Sequence, residues 1–155
     1  MRISAKADYA VRAAVTLASF DGEGPIKAER LADAQGIPLN FLENILHQLK
    51  ASGLVTSHRG PEGGFRLGRP ANEITLADVI RAVEGPLASV RGTRPEQVSY
   101  TGAAEPLQEV WIALRASLRA VLENVTLADV AAGKLPDQVS TLSADPAAWK
   151  PPGVE

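Results

Sequence analysis

Asn40, Glu43, Asn44 and His47, with Lys50 a turn further on, lie at helical spacing between Pro38 and Gly53. On a helix that spacing gathers them on one polar face. Alone such a face reads as solvated helix surface; the basic hairpin that follows it turns the reading toward DNA contact. An asparagine amide can pair bidentately with adenine, and a carboxylate can accept from the amino group of cytosine. Shortly afterwards comes Arg59-Gly60-Pro61-Glu62-Gly63, a turn-forming run, with His58 before it and Arg66 and Arg69 beyond it. Guanidinium groups suit phosphates; the histidines read as plain surface residues, or His58 as a phosphate contact. His47 and His58 stand eleven residues apart with no carboxylate pattern around them, so a metal site is not expected. There is no G-x-S-x-G, no phosphate-binding glycine loop opening a helix, and no histidine–carboxylate spacing suited to catalysis. The chain is not expected to be an enzyme.

The elements that must hold these residues are legible around them. Ser4 can cap a first helix to about Phe20, with Ile3, Ala7, Ala10, Val11, Ala14, Leu17 and Ala18 as its apolar stripe. Asp21 to Pro25 stops it. A second helix over Lys27 to Gln35, with Ile26, Leu31, Ala32 and Ala34 inward, ends at Gly36. Pro38 then suits the first turn of a third helix. That helix turns Phe41, Leu42, Ile45, Leu46 and Leu49 inward and stops at Gly53. Ala32, Gly36, Leu42 and Ile45 have the spacing of a helix-turn-helix. Leu54 to His58 and Gly64 to Leu67 have strand character at hairpin spacing. A basic hairpin directly after a helix-turn-helix is a wing, and the pair is far more specific than either part.

Thr75 can cap a short helix over Leu76 to Glu84, with Leu76, Val79, Ile80 and Val83 inward. Residues 87–104 show little periodicity and read as a loop, which at this length is usually functional. Within it Arg91, Arg94 and Tyr100 are candidates for touching an effector. Leu107, Trp111, Leu114, Leu118, Val121 and Val125 step by four and three. That seam suits packing against another helix and reads as a dimer interface. Thr126-Leu127-Ala128-Asp129-Val130 repeats Thr75-Leu76-Ala77-Asp78-Val79, one helix-start solution used twice. The expected fold is mainly α with a small β-hairpin wing. A winged helix-turn-helix occupies 1–85, the loop 86–104, the dimerisation helix with a short helix after it 105–132, and an irregular tail 133–155.

Composition narrows the classes further. The chain has 155 residues and no cysteine, which excludes disulfides, thiol catalysis and thiolate-bound zinc or iron–sulfur clusters. No apolar run is long enough to span a bilayer and no signal peptide is visible, so a cytoplasmic location is expected. The net charge is −2, unevenly spread. Residues 1–70 hold nine basic against seven acidic side chains, and residues 71–155 hold seven against eleven. A specific DNA reader needs only a local basic surface.

These residues resemble the Rrf-two family of bacterial winged-helix transcription regulators. The resemblance covers about residues 1–130 and rests on Asp8 to Ala13, Ile37-Pro38 with Phe41-Leu42 and Ile45-Leu46, the stretch Gly53 to Leu67, and Ile74 to Gly85. The wing, Arg59-Gly60-x-x-Gly63-Gly64-Phe65-x-Leu67, is the most specific part. The resemblance implies a homodimer on the long helix, recognition helices in successive major grooves of double-stranded DNA, and wings in the flanking minor grooves. By position it puts Asn40, Glu43 and Asn44 against bases or phosphates and Arg59 in the minor groove. Many members hold an iron–sulfur cluster through three cysteines in the loop that corresponds to about 86–105. Here that loop has none, and Asp8 alone, where some members use an acidic ligand, cannot hold one; it reads instead as a surface or pairing group. The expectation is a dimeric DNA-binding repressor with no cofactor and with an unidentified small-molecule or protein effector. A cavity near Trp111 would favour a small ligand. The rival reading is a winged-helix interaction module that docks on a partner enzyme.

Overall fold

The computed structural model describes residues 1–153. Helix α1 (Ala5–Ser19) is capped by the Ser4 hydroxyl, which accepts from the Ala7 amide at 3.0 Å. It presents small side chains, Ala7, Ala10, Ala13 and Ala14, at exposures of 2% or less. Small residues let neighbouring helices approach closely, and α1 becomes the central strut of the molecule. The remaining helices of the N-terminal half pack around it.

Helix α2 (Ala28–Gln35) ends at Gly36, whose φ of 61° is left-handed. That conformation turns the chain into α3 (Leu39–Ala51) within three residues. The turn is held twice. The Ile37 amide donates to the Ala32 carbonyl at 3.0 Å, and the Arg12 guanidinium of α1 donates to the Gln35 carbonyl at 2.7 Å. A cation on the last carbonyls of a helix also complements its dipole. Asp8 pairs with the same Arg12 at 3.0 Å, the pairing role expected of it. Leu42, Ile45, Leu46 and Leu49 seat α3 in the core at 1% exposure or less. Leu42→Ala is expected to cost about 2–5 kcal/mol in urea unfolding, as core leucine deletions do; a loss below about 1 kcal/mol would contradict this packing.

Strands β1 (Val55–His58) and β2 (Gly64–Leu67) pair antiparallel, with Val55 opposite Leu67 and His58 opposite Gly64. The linker between α1 and α2 joins them: Ile26 and Phe65 exchange two backbone hydrogen bonds, at 2.8 and 2.7 Å. A Cβ on Gly64 would lie 2.5 Å from the Ile26 carbonyl. Gly64→Ala is therefore expected to push β2 off this linker and to cost about 2–4 kcal/mol of stability, measured by denaturant titration.

Helix α4 (Leu76–Glu84) begins in a capping box of Thr75 and Asp78. Helix α6 (Leu127–Ala132) begins in the same box, made by Thr126 and Asp129. The repeated sequence thus becomes a repeated structure, and its two copies meet. Thr75 and Thr126 form an antiparallel bridge, in which the Leu76 amide donates to the Val125 carbonyl and the Leu127 amide to the Ile74 carbonyl, both at 2.9 Å. The bridge carries α6 back against α1, where Leu127 is fully buried with the core of the first 85 residues. The N-terminal unit is therefore completed by a segment from after the long helix.

Helix α5 (Leu107–Leu122) has no buried residue. The chain before it is more ordered than its sequence suggests. Leu87, Pro95 and Val98 are buried, Val90 and Thr93 pair across a tight turn, and 3-10 turns cover Pro95–Gln97 and Gly102–Ala104. Gln108 of α5 organises this loop by offering its amide to the carbonyls of Val98, Glu96 and Pro95 at 2.7, 3.3 and 3.4 Å. The tail also departs from expectation: α7 (Asp137–Ser143) and a 3-10 turn at Pro146–Trp149 stand where an irregular segment is expected. Pro136 and Asp145 supply their starts. Residues 154 and 155, included in that tail expectation, lie outside the described residues.

Several inward assignments are corrected by the packing. Ile3 precedes the Ser4 cap and is 77% exposed; Ala34 is exposed on α2. Phe41 is 62% exposed, because one turn before Ile45 the α3 surface has already rotated off the core. Its ring meets Tyr9 edge-on at 6.5 Å, and Arg12 lies 4.9 Å over Tyr9. Val125 belongs to the interior at 3% exposure and not to a dimer seam, since α5 ends at Leu122 and the bridge to Ile74 turns it inward.

Candidate nucleic-acid interface

The outer face of α3 carries Asn40, Glu43, Asn44, His47 and Lys50, all exposed. None of them takes part in an ion pair or a side-chain hydrogen bond among the described residues. Such unpartnered donors and acceptors on a rigid helix are free to bond a ligand at little reorganisation cost. The rigidity comes from the other face, where four apolar side chains are locked in the core. Phe41 adds an exposed aromatic surface at the start of the same helix. Sequence periodicity assigns it to the core; its solvent exposure is decided by the rotation of α3.

Helix α3 packs against β1, so the hairpin stands beside it. The hairpin tip spans residues 59–63. The Gly63 amide donates to the Gly60 carbonyl at 2.9 Å, and Gly60 has a φ of 101°. A Cβ at Gly63 would lie 2.3 Å from the His58 carbonyl oxygen. Glycine at this position is thus what permits a tip this tight. His58, Arg59 and Pro61 are exposed there, and Arg59 has no carboxylate partner among the described residues. A tight, well-hydrogen-bonded turn that exposes one unpaired guanidinium is suited to entering a narrow, electronegative groove.

Arg66 is placed differently. It is exposed, but its guanidinium reaches back over Gly24, into a groove of about 540 Å³ lined by Phe20, Asp21, Gly24, Phe65 and Arg69. It faces the α1–α2 turn and not the tip. Arg69 approaches Asp78 at 3.7 Å. The structure therefore brings the α3 face and the Arg59 tip beside each other and sets the two later arginines on the hairpin's flank.

The row Leu107, Trp111, Leu114, Leu118 and Val121 runs along α5; Leu107 is exposed and the other four are mostly covered without being buried. Leu107 is 38% exposed, and Val110 and Ile112 beside it are 52% and 38% exposed. Trp111 is tied to the loop by its indole N–H, which donates to the Tyr100 hydroxyl at 3.0 Å. A small apolar concavity of about 200 Å³ lies at Trp111 and Leu114, lined also by Met1, Ala88 and Val90.

A helix-turn-helix with a free polar recognition face, followed by a wing with a free arginine, defines the class of winged-helix DNA-binding proteins. The comparisons give the family. Residues 3–133 match the Rrf2 family, described as iron-dependent transcriptional regulators. The chain is 54% identical over 145 residues to the candidate HTH-type transcriptional regulator Rv1287 of Mycobacterium tuberculosis, covering 94% of this chain and 90% of that one. The solved structure of CymR, the global cysteine regulator of B. subtilis, superposes with a TM-score of 0.72 at 34% identity, covering 85% of this chain and 97% of that one. IscR of T. potens superposes with a TM-score of 0.68 at 29% identity, covering 99% and 94%. The chain belongs to the Rrf2 family and is a DNA-binding transcriptional regulator, not an enzyme. No helix among the described residues is long and apolar enough to cross a membrane.

The Rrf2 family description names iron, which needs a matching donor set. Loop 86–104 contains neither cysteine nor histidine. Its single carboxylate, Glu96, is engaged by Arg115. Among the described residues no group of three or more His, Asp or Glu side chains converges as a metal site. These residues do not fit an iron–sulfur cluster, whose irons need thiolate or imidazole ligands.

Proposed function

We propose that the protein is a cytoplasmic, homodimeric, sequence-specific repressor that reads double-stranded DNA without a cluster and answers to another effector. Two copies join along the partly exposed apolar row of α5. Each α3 lies in a major groove, with Asn40, Glu43 and Asn44 on base edges and His47 and His58 near phosphates. Each Arg59 enters the minor groove beside Pro61, and Arg66 adds charge on the wing's flank. The observation that carries this reading is the pairing of an unpartnered polar α3 face with an unpaired Arg59 on a tip that can only be built with glycine.

Selection from random or genomic DNA fragments with the purified full-length protein is the direct test. The expected result is a pseudo-palindrome with half-sites about one helical turn apart. Glu43→Ala is expected to change preference at one or two positions of each half-site, with overall affinity altered by less than about tenfold. Selection that enriches no two-fold symmetric sequence overturns the proposal, as does a Glu43→Ala motif identical to that of the wild type.

A further inference from the structure

Four arginines from three parts of the chain converge on one concavity. Arg81 comes from α4, Arg94 from the loop, and Arg115 and Arg119 from successive turns of α5. The concavity holds about 440 Å³ and is floored by Gly85-Pro86-Leu87. Two carboxylates answer them. Glu96 pairs with Arg115; Glu123 pairs with Arg81 and, at 2.9 Å, with Arg119. Arg94 has no ion-pair partner among the described residues. Four guanidiniums against two carboxylates leave a formal excess of two positive charges, in a C-terminal half that is otherwise acidic.

Gathering like charges in a cleft is unfavourable unless an anion shares them. The two glutamates are held below the usual carboxylate range, Glu96 first by a backbone hydrogen bond and then by the Arg115 hydrogen bond, Glu123 by hydrogen bonds from Arg81 and Arg119. Volumes of this order suit small ligands, and the planar fork of arginine matches phosphate and carboxylate oxygens. We propose that the pocket formed by Arg81, Arg94, Arg115 and Arg119 binds a small multivalent oxyanion, a compact metabolite bearing at least two phosphate or carboxylate groups. Such a ligand would bridge α4, the loop and α5, and so link the DNA-reading unit to the helix assigned to dimerisation. As an effector site it rests on the regulator reading above; as a binding site it does not.

Calorimetric titration of the full chain without DNA, with inorganic pyrophosphate in one arm and citrate in the other, tests it. The expected result is one site per chain in at least one arm, and the stronger arm names the anion class. Arg94→Gln is expected to weaken that binding about tenfold, Arg115→Gln at least as much, and Arg59→Ala not at all. Arg94 is exposed and unpaired, so its replacement keeps the fold even if Arg115→Gln loosens the loop. Saturation with the bound anion is then expected to shift the affinity for selected DNA at least about threefold in the wild type and not in Arg94→Gln. Absence of binding in both arms overturns the site. So does binding lost in Arg59→Ala but kept in Arg94→Gln, which would place the anion on the DNA surface. A chain that binds its selected DNA but neither anion refutes the pocket alone, and one that binds the anion but selects no DNA refutes the regulator reading alone.

Discussion

Arg59→Ala is expected to weaken specific DNA binding about a hundredfold while leaving the fold intact. The side chain is exposed at the hairpin tip and has no acidic partner among the described residues, so nothing in the chain depends on it. A groove-bound or phosphate-bound arginine contributes about 1–3 kcal/mol. A two-fold dimer loses two of them, and about 2.7 kcal/mol in total is the hundredfold loss. The loss should come with a salt dependence shallower by about two in the log–log slope, one counterion fewer per tip. Fluorescence anisotropy across a salt series measures both quantities. Wild-type affinity and slope in the variant would remove the wing from the interface.

The second large effect is expected at the α5 row. Leu114→Glu should convert the proposed dimer to monomer and lower affinity for the full operator about a thousandfold. Leu114 is mostly covered but not buried in the single chain, so a carboxylate there can still reach water in the monomer. Across a helix–helix seam it would be buried opposite its own copy, and burying an unpaired charge is costly. Once the two readers are separate, the second half-site no longer binds intramolecularly, and linkage of that kind is worth about 10²–10⁴ in affinity. Sedimentation velocity reports the state and anisotropy the affinity. A variant that remains dimeric would move the interface away from α5; one that becomes monomeric yet binds the full site with wild-type affinity would remove the need for a dimer.

Elements whose signals are local were readable from one sequence. Ser4, Gly36 and Thr75 start or stop helices through bonds to their own neighbours, and the wing tip is set by glycines within its own few residues. The same holds for the polar α3 face, because helical period alone puts Asn40, Glu43, Asn44 and His47 together. Period does not say where a stripe ends, which is why Phe41 counts as core by spacing and is solvent-exposed by geometry. The α7 segment, with Pro136 at its head, shows how weak a seven-residue helix is as a pattern.

What the residues determined on their own is the reader: a helix-turn-helix, a glycine-built tip and an arginine beside it, each a short-range consequence of side-chain type and spacing. The absence of cysteine likewise excludes a thiolate-held cluster from composition alone. Tertiary structure decided everything that depends on contacts between distant residues. The Thr75–Thr126 bridge sends Leu127 into the first domain's core and leaves Val125 buried, and Gln108 gives loop 86–104 its shape. The same long-range folding draws Arg81, Arg94, Arg115 and Arg119 to one pocket from positions up to 38 residues apart. No local period encodes such a meeting, because it exists only after α4, the loop and α5 have packed.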